Sequence, residues 1–338
     1  FRDAGGTINL IASHYTTWRM TGSSFTSLTK DCTPVMTSHQ DSDPATFDNN
    51  EWIVAPYTTD GINIHALVHN EYVPCGNANN CWYNAITYVS SSDSGRTYTH
   101  PAAPGHLVAA SPYQSPYPFT HAPFGLFGGS NIIFKDGYYY KMLQLESHQL
   151  QDWGAGVIRT NDLSDPASWR GWDGNGFNVQ FVNPYTQSGY DEADIILAPV
   201  SRDNIGKMCA SLTYNTYFEK YMVVDYTVGE VNGTLTYGFY YALSEDLIHW
   251  SSKRLILQTA STWAAGGSNY PSIIDHNDTS RNFEMAGQNC YLYYTKWNSG
   301  TYDRDLIRIP VTFNMETVSS LVVNSTLDAE DETPGDGV

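Results

Sequence analysis

The chain has 338 residues, enough for two average domains or one large all-β domain, and its 35 acidic against 17 basic residues give a formal charge of −18. So acidic a surface repels phosphate backbones and sets nucleic acid aside as a partner, and no apolar run approaches the ~20 residues of a membrane helix. The charge reads first as a solvated surface suited to an extracellular or salty medium. Its second reading is calcium held by some of the carboxylates, the one cofactor the composition raises; no metal-ligand set is singled out.

Strand formers dominate, with 25 Tyr, 13 Phe and 9 Trp, and no stretch sustains a helical period. Residues 7–13 read as a strand, followed by a polar passage through Asp41-Ser42-Asp43-Pro44. Strand-like 52–57 then runs through Asp60-Gly61 into 62–72, and a third strand, 85–90, leads into Ser91-Ser92-Asp93-Ser94-Gly95-Arg96-Thr97-Tyr98. A Pro- and aromatic-rich connection, 111–127, precedes the clearest unit: 131–134, a Lys135-Asp136-Gly137 turn, and 138–145. Asp-Gly between β-rich runs is a hairpin signal, because Gly supplies the positive φ such turns need. The pattern returns at 211–214 with 220–226, and at 270–274 with 290–297 after Gly266-Gly267-Ser268-Asn269, which repeats Gly128-Gly129-Ser130-Asn131. A recurring unit of this size marks a repeat architecture in one closed domain. From Val318 the chain turns polar and then acidic, so residues 318–338 read as a tail and 1–317 as the domain.

Cysteines and sequons point outside the cell. Cys75 and Cys81 bracket a short Gly/Asn loop at a spacing compatible with a local disulfide, and Cys209 with Cys290 is a second, weaker pairing. Sequons stand at Asn232, Asn277 and Asn324, and Phe1 in place of an initiator Met reads as a processed N-terminus. The expectation is a secreted glycoprotein.

Two turn motifs carry a resemblance. The octet 91–98 is similar to the Asp-box of sialidase-like β-propellers. Ser244-Glu245-Asp246-Leu247-Ile248-His249-Trp250, with Thr160-Asn161-Asp162-Leu163 ahead of Trp169, resembles the outer hairpins of five-bladed propellers in arabinanase-, xylosidase- and invertase-type glycosidases. The likeness covers about two thirds of the chain and speaks to fold more than to activity. It implies an all-β, single five-bladed β-propeller with N- and C-terminal segments sharing one blade.

In a propeller the first strand of each blade lines the axis, and hairpins alternate between the two ends. The end opposite the Asp-Gly turns then gathers Glu51, Trp52, His69, Asn70, Glu71, Tyr72, Ser130, Asn131, Glu146, His148, Asp225, Ser268, Asn269, Tyr270, Lys296 and Trp297. Amides and carboxylates bond hydroxyls and flat rings stack on sugars, so this end is expected to bind a glycan. Trp52, Tyr72, Asn131, Asn269, Tyr270 and Trp297 are the substrate-binding candidates.

Glycoside hydrolysis needs two carboxyl groups, one of them held protonated. The resemblance implies acids on the innermost strands of three successive blades: Glu51 or Asp48 in the first, and Asp191, Glu192 or Asp194 ahead of the third. Asn131 stands at the second position, so Glu71 and Glu146 at matching strand ends are the catalytic candidates. Two alternatives stay open. His69 beside Tyr72, with Asn131 and Lys296, suits a lyase acting on a uronic-acid glycan. A non-catalytic sugar-binding module, or a structural subunit of an extracellular assembly open to self-assembly, is also compatible with the repeat.

Overall fold

The computed structural model describes residues 1–74, 81–115, 123–260, 266–298 and 303–315. Almost all regular structure in it is β. Strands β1 (Ile8–Ala12), β2 (Thr16–Gly22) and β3 (Thr29–Thr37) form the first antiparallel unit. The second is β4 (Asn50–Tyr57), β5 (Ile64–Tyr72), β6 (Tyr83–Ser91) and β7 (Leu107–Ala109). After β8 (Phe124–Gly128), the third holds β9 (Ile133–Lys135), β10 (Tyr138–Leu145), β11 (Gly154–Thr160), β12 (Arg170–Gly171) and β13 (Val179–Gln180). β8 pairs parallel with β6 and antiparallel with β10, and so merges these two units into one ten-stranded sheet. The fourth unit is β14 (Ser211–Asn215), β15 (Lys220–Val231), β16 (Thr234–Ser244) and β17 (Arg254–Gln258). The fifth is β18 (Ser268–Ile274), β20 (Asn289–Trp297) and β21 (Arg304–Thr312), while the two-residue β19 (Met285–Ala286) joins the fourth sheet alongside β14.

Alternation along each strand buries both faces, so each unit shares an apolar cluster with the next. Val35 and Met36 meet Ile53, Ile64 and Val68 between the first and second units. Leu67 and Ile86 meet Leu143 and Ile158 at the next junction. Met142 and Val157 meet Leu212 and Val223, and Met222 and Val224 meet Ile273 and Leu292. The series closes where Phe25 stacks on His276 at 4.7 Å and abuts Phe283 at 4.9 Å. A ring of sheets in chain order, first packed against last, is the expected propeller.

The two chain ends meet differently from the expected shared blade. Among the described residues each end builds its own three-stranded sheet. They are joined by Arg2 to the Asp278 carbonyl (2.9 Å) and Arg308 to the Phe25 carbonyl (3.3 Å). Sequence-local hairpins close at little entropic cost, so each end pairs first with itself. The tail at 318–338, Asn324 and Cys75 lie outside the described residues. Cys209 and Cys290 are free thiols buried in different junctions, which removes the pairing expected between them.

The motif turns form as read. Asp136 and Gly137 have φ of 50° and 83°. Asp93 accepts the N–H groups of Arg96 and Thr97 (both 2.9 Å) and the Thr97 hydroxyl (2.7 Å), over a buried Tyr98. Asp246 accepts Ile248 and His249 N–H over a buried Trp250, whose indole bonds the Leu247 carbonyl.

One segment closes the turn end of the ring. Within residues 278–287, Arg281 bonds the Asp3 carbonyl, Asn282 accepts Thr58 N–H (2.9 Å), Glu284 accepts Phe134 N–H (3.0 Å), and the Glu284 carbonyl accepts Tyr214 N–H (2.8 Å). This stretch of the fifth unit thus touches every other unit.

Candidate active site

Strand register decides which residues share the other, open end. Asn50 pairs with Glu71, Ser211 with Val224, and Ser268 with Lys296. Ser130 N–H bonds the Met142 carbonyl at 3.1 Å. Glu71, Glu146, Asp225 and Trp297 therefore sit at one level of four units. Units that are not neighbours interact here. Desolvation raises the Tyr270 pKa although the residue is largely exposed, Arg304 opposes, and the Glu71 carboxylate of the second unit adds to the rise.

His69 and Glu71, on the same face of β5, form a pair at 2.8 Å. His69 Nδ1 accepts the Gly128 N–H at 2.6 Å, so its proton resides on Nε2 and is donated to Glu71. Both ring nitrogens are thereby engaged, and neither offers the lone pair that proton abstraction needs. The Trp52 ring lies 6.1 Å from His69, with Tyr15 5.4 Å beyond. Opposite them, Arg304 stands 4.2 Å over Trp297 and 5.5 Å over Tyr270, whose ring is 55% exposed.

A second carboxyl group gathers at the junction of the third and fourth units. Met142 faces this junction, so Gln144 and Glu146, two and four residues on, point the same way. Lys207 Nζ lies 2.6 Å from both Glu146 oxygens, and Gln144 donates to one at 2.8 Å. Val223 faces the junction from β15, so Asp225, two residues on, shares that face. Asp225 accepts Cys209 N–H and Tyr226 N–H at 2.7 Å each. Burial pushes its pKa up to about 6 despite those bonds. Lys207 and Cys209 belong to one short stretch, so a single backbone turn fastens both carboxyl groups. Asp225 falls among the open-end positions read from the sequence. Lys207 lies in an irregular connection with no pattern to announce it.

Other expected residues turn away. The Asn131 amide is spent on the backbone of β14, accepting Leu212 N–H (2.9 Å) and donating to its carbonyl (2.8 Å). It stitches two units and does not face a ligand, because a buried strand start needs its backbone groups bonded. Asn269 is likewise buried, while Tyr270 beyond it has φ 55° and swings outward. Tyr72 packs beside the cluster of Phe47, Tyr83 and Phe124. Gly129 lets the same lead-in pass close to its neighbours: a Cβ there would sit 2.2 Å from the Met142 carbonyl oxygen. Below it Lys141 is fully buried, bonds the Ser130 carbonyl, and has its pKa lowered by burial to about 7. Asp191, Glu192 and Asp194 form a short 3-10 turn away from these groups, with Asp191 capping Ala193 N–H.

A third ionisable group spans the first and second units: His39, Asp48, Glu51 and His100. Glu51 occupies an inward position of β4 and is 1% exposed. Burial and the nearby Asp48 push its pKa up to about 7. The Asp48 hydrogen bond raises His100 to about 9, while His106, stacked on it at 4.3 Å, is lowered by burial to about 4. Burial works to raise Asp48, but its bonds to His100 and His39 hold it below the ordinary value. Glu51 and Asp48 carry a sequence signal, acids at the start of an inner strand; the two histidines carry none.

No protein-family model matches the sequence, and no curated protein matches it. Among solved structures the chain is similar to a sucrose-6-phosphate hydrolase from Lactobacillus gasseri, with TM-score 0.54 and 10% identity over 93% of this chain. It spans 58% of that longer protein. A Cellvibrio cellulosa α-L-arabinanase complexed with arabinohexaose gives TM-score 0.50 at 12% identity, covering 92% of this chain and 90% of that one. An exo-1,5-α-L-arabinanase from a bovine ruminal metagenomic library gives 0.51 at 10%, covering 91% and 93%. The fold is that of the β-propeller glycoside hydrolases.

Proposed function

We propose that this chain is a glycoside hydrolase that cleaves its glycan at the open mouth of the ring, with Asp225 as general acid and Glu146 as the facing carboxylate. The observation that carries this reading is Asp225, a carboxyl whose pKa burial raises to about 6, fastened by the same short stretch whose Lys207 ion-pairs Glu146 on the neighbouring unit. Two carboxyl groups whose surroundings separate their protonation are what glycosidic cleavage requires. Asp225 gives its proton to the leaving oxygen as the bond to the anomeric carbon breaks. Glu146 supports the positive charge that develops there, or activates water. Trp52, Tyr270 and Trp297 supply ring faces for the sugar, and Glu71, held by His69, bonds hydroxyls at the rim.

The structural neighbours suggest furanosides as the first substrates to try, namely arabinan oligosaccharides and fructosides of the sucrose type. Asp225→Asn should lower kcat at least ~100-fold with glycan binding largely kept. Full activity in that variant, with the wild type active, would remove Asp225 from the role. The lyase alternative is disfavoured by the engaged nitrogens of His69. The binding-module alternative predicts oligosaccharide affinity with no reducing-end release from any substrate in the panel.

Secretion belongs to the same proposal. Asn232 and Asn277 are exposed, and with Cys32, Cys209 and Cys290 free, Cys75 and Cys81 are left for each other. Peptide mapping without reductant checks the bridge; iodoacetamide labelling of both residues would refute it.

A further inference from the structure

The junction between the first and second units gathers chemistry that the hydrolytic site does not use. His39 follows β3, Asp48 and Glu51 flank the start of β4, and His100 lies in the loop after β6. One donor atom from each falls within 4.8 Å of the others. His39 Nδ1 stands 2.7 Å from Asp48 Oδ1 and 3.3 Å from His100 Nε2. His100 Nε2 is 3.4 Å from Asp48 Oδ1 and 3.9 Å from Glu51 Oε1. Around a tetrahedral ion with bonds of about 2.0–2.1 Å, donors stand roughly 3.3 Å apart. These atoms are already near that spacing.

Each donor is also aimed. His100 Nδ1 donates to the Pro101 carbonyl at 2.6 Å, which leaves the Nε2 lone pair directed into the group. Metal-bound imidazoles are oriented by such a bond on the far nitrogen. Stacking on His106 fixes the plane of the ring. Glu51 Oε2 accepts the His39 backbone N–H at 3.3 Å, while Oε1 is buried and has no hydrogen-bond partner. A buried carboxylate oxygen left bare is costly unless positive charge faces it. The His39 side chain alone is well exposed, at 61%, and gives an ion its way in.

We propose that His39, Asp48, Glu51 and His100 bind one divalent transition-metal ion of the Zn²⁺ class. Two imidazoles with two carboxylates suit such an ion, whereas Ca²⁺ takes six to eight oxygens. The ion would clamp the first unit to the second, a structural role separate from the carboxyl groups at the third and fourth.

The test uses the full chain stripped with a chelator and then given Zn²⁺ or Co²⁺. Elemental analysis after dialysis should find one Zn²⁺ per chain, and Co²⁺ should give the visible bands of a tetrahedral site. His100→Gln and Asp48→Asn should each weaken retention at least ~100-fold. Should these variants fold poorly, the wild type decides: millimolar Ca²⁺ should leave the Co²⁺ bands in place. Substoichiometric Zn²⁺ on the wild type, unchanged bands in a folded His100→Gln, or displacement of Co²⁺ by Ca²⁺ would each overturn the assignment.

Discussion

Two of the ionisable groups, one at the first junction and one at the third, are built on the same plan with a different counter-charge. At the first junction Asp48 and Glu51 are balanced by imidazoles; at the third, Glu146 and Asp225 share a neighbourhood with the Lys207 ammonium. Each group holds one carboxyl high in pKa, Glu51 at about 7 and Asp225 at about 6. An imidazole can exchange its proton for a cation, whereas the Lys207 ammonium offers no lone pair to a metal and is paired with Glu146. The first group is therefore suited to hold an ion and the second to cycle a proton.

Breaking the second group should have the largest effect. Glu146→Gln is expected to lower kcat about 100-fold, whereas Glu71→Gln, which loses only a carboxylate already occupied by His69, should cost about tenfold or less. Equal losses would put the chemistry at the rim instead. The basic limb of kcat/KM should bend near pH 6, since Asp225 acts only while protonated.

Asn131→Ala tests the seam under the same group. It strips the Leu212 N–H and carbonyl of their partners, and should cost about 2–3 kcal/mol in urea unfolding. Lys207→Met should lower kcat about tenfold and leave stability nearly unchanged, since the pair is partly exposed. A fall in stability larger than that of Asn131→Ala would make Lys207 a structural tie.

The smallest effect sharpens the first group. A carboxyl with a raised folded pKa binds its proton more tightly in the native state, so stability is fullest below about pH 4 and declines as pH rises toward about 7. In chelator-treated protein, Glu51→Gln should flatten that decline between pH 5 and 7. An unchanged slope would mean that Glu51 does not titrate in this window.

The sequence made the scaffold readable because hairpins are local. Asp136-Gly137 and the Asp93 turn are specified within a few residues, and they form where their side chains demand. Position along the strand was equally readable, so Glu71, Glu146, Asp225 and Tyr270 arrive at one end. Side-chain direction was not. Asn131 looks like a ligand residue until its neighbour across the seam is known to be the bare backbone of Leu212. Nor could spacing reveal that His39 and His100, sixty-one residues apart, would meet at 3.3 Å. Such meetings depend on how one sheet leans on the next, which no local pattern encodes.

The segment at 278–287 that contacts every unit at the turn end bears on traffic. Because it bonds every other unit at that end, it ties the turn end together and leaves the opposite end as the entrance. On the proposed function, a glycan would enter and leave by the opposite end, so either a chain terminus would dip in or a stretch of chain would lie across the rim. On the same proposal, each departing fragment would clear that entrance before the next turnover, and small products would compete with fresh substrate for the same rings, Trp52, Tyr270 and Trp297.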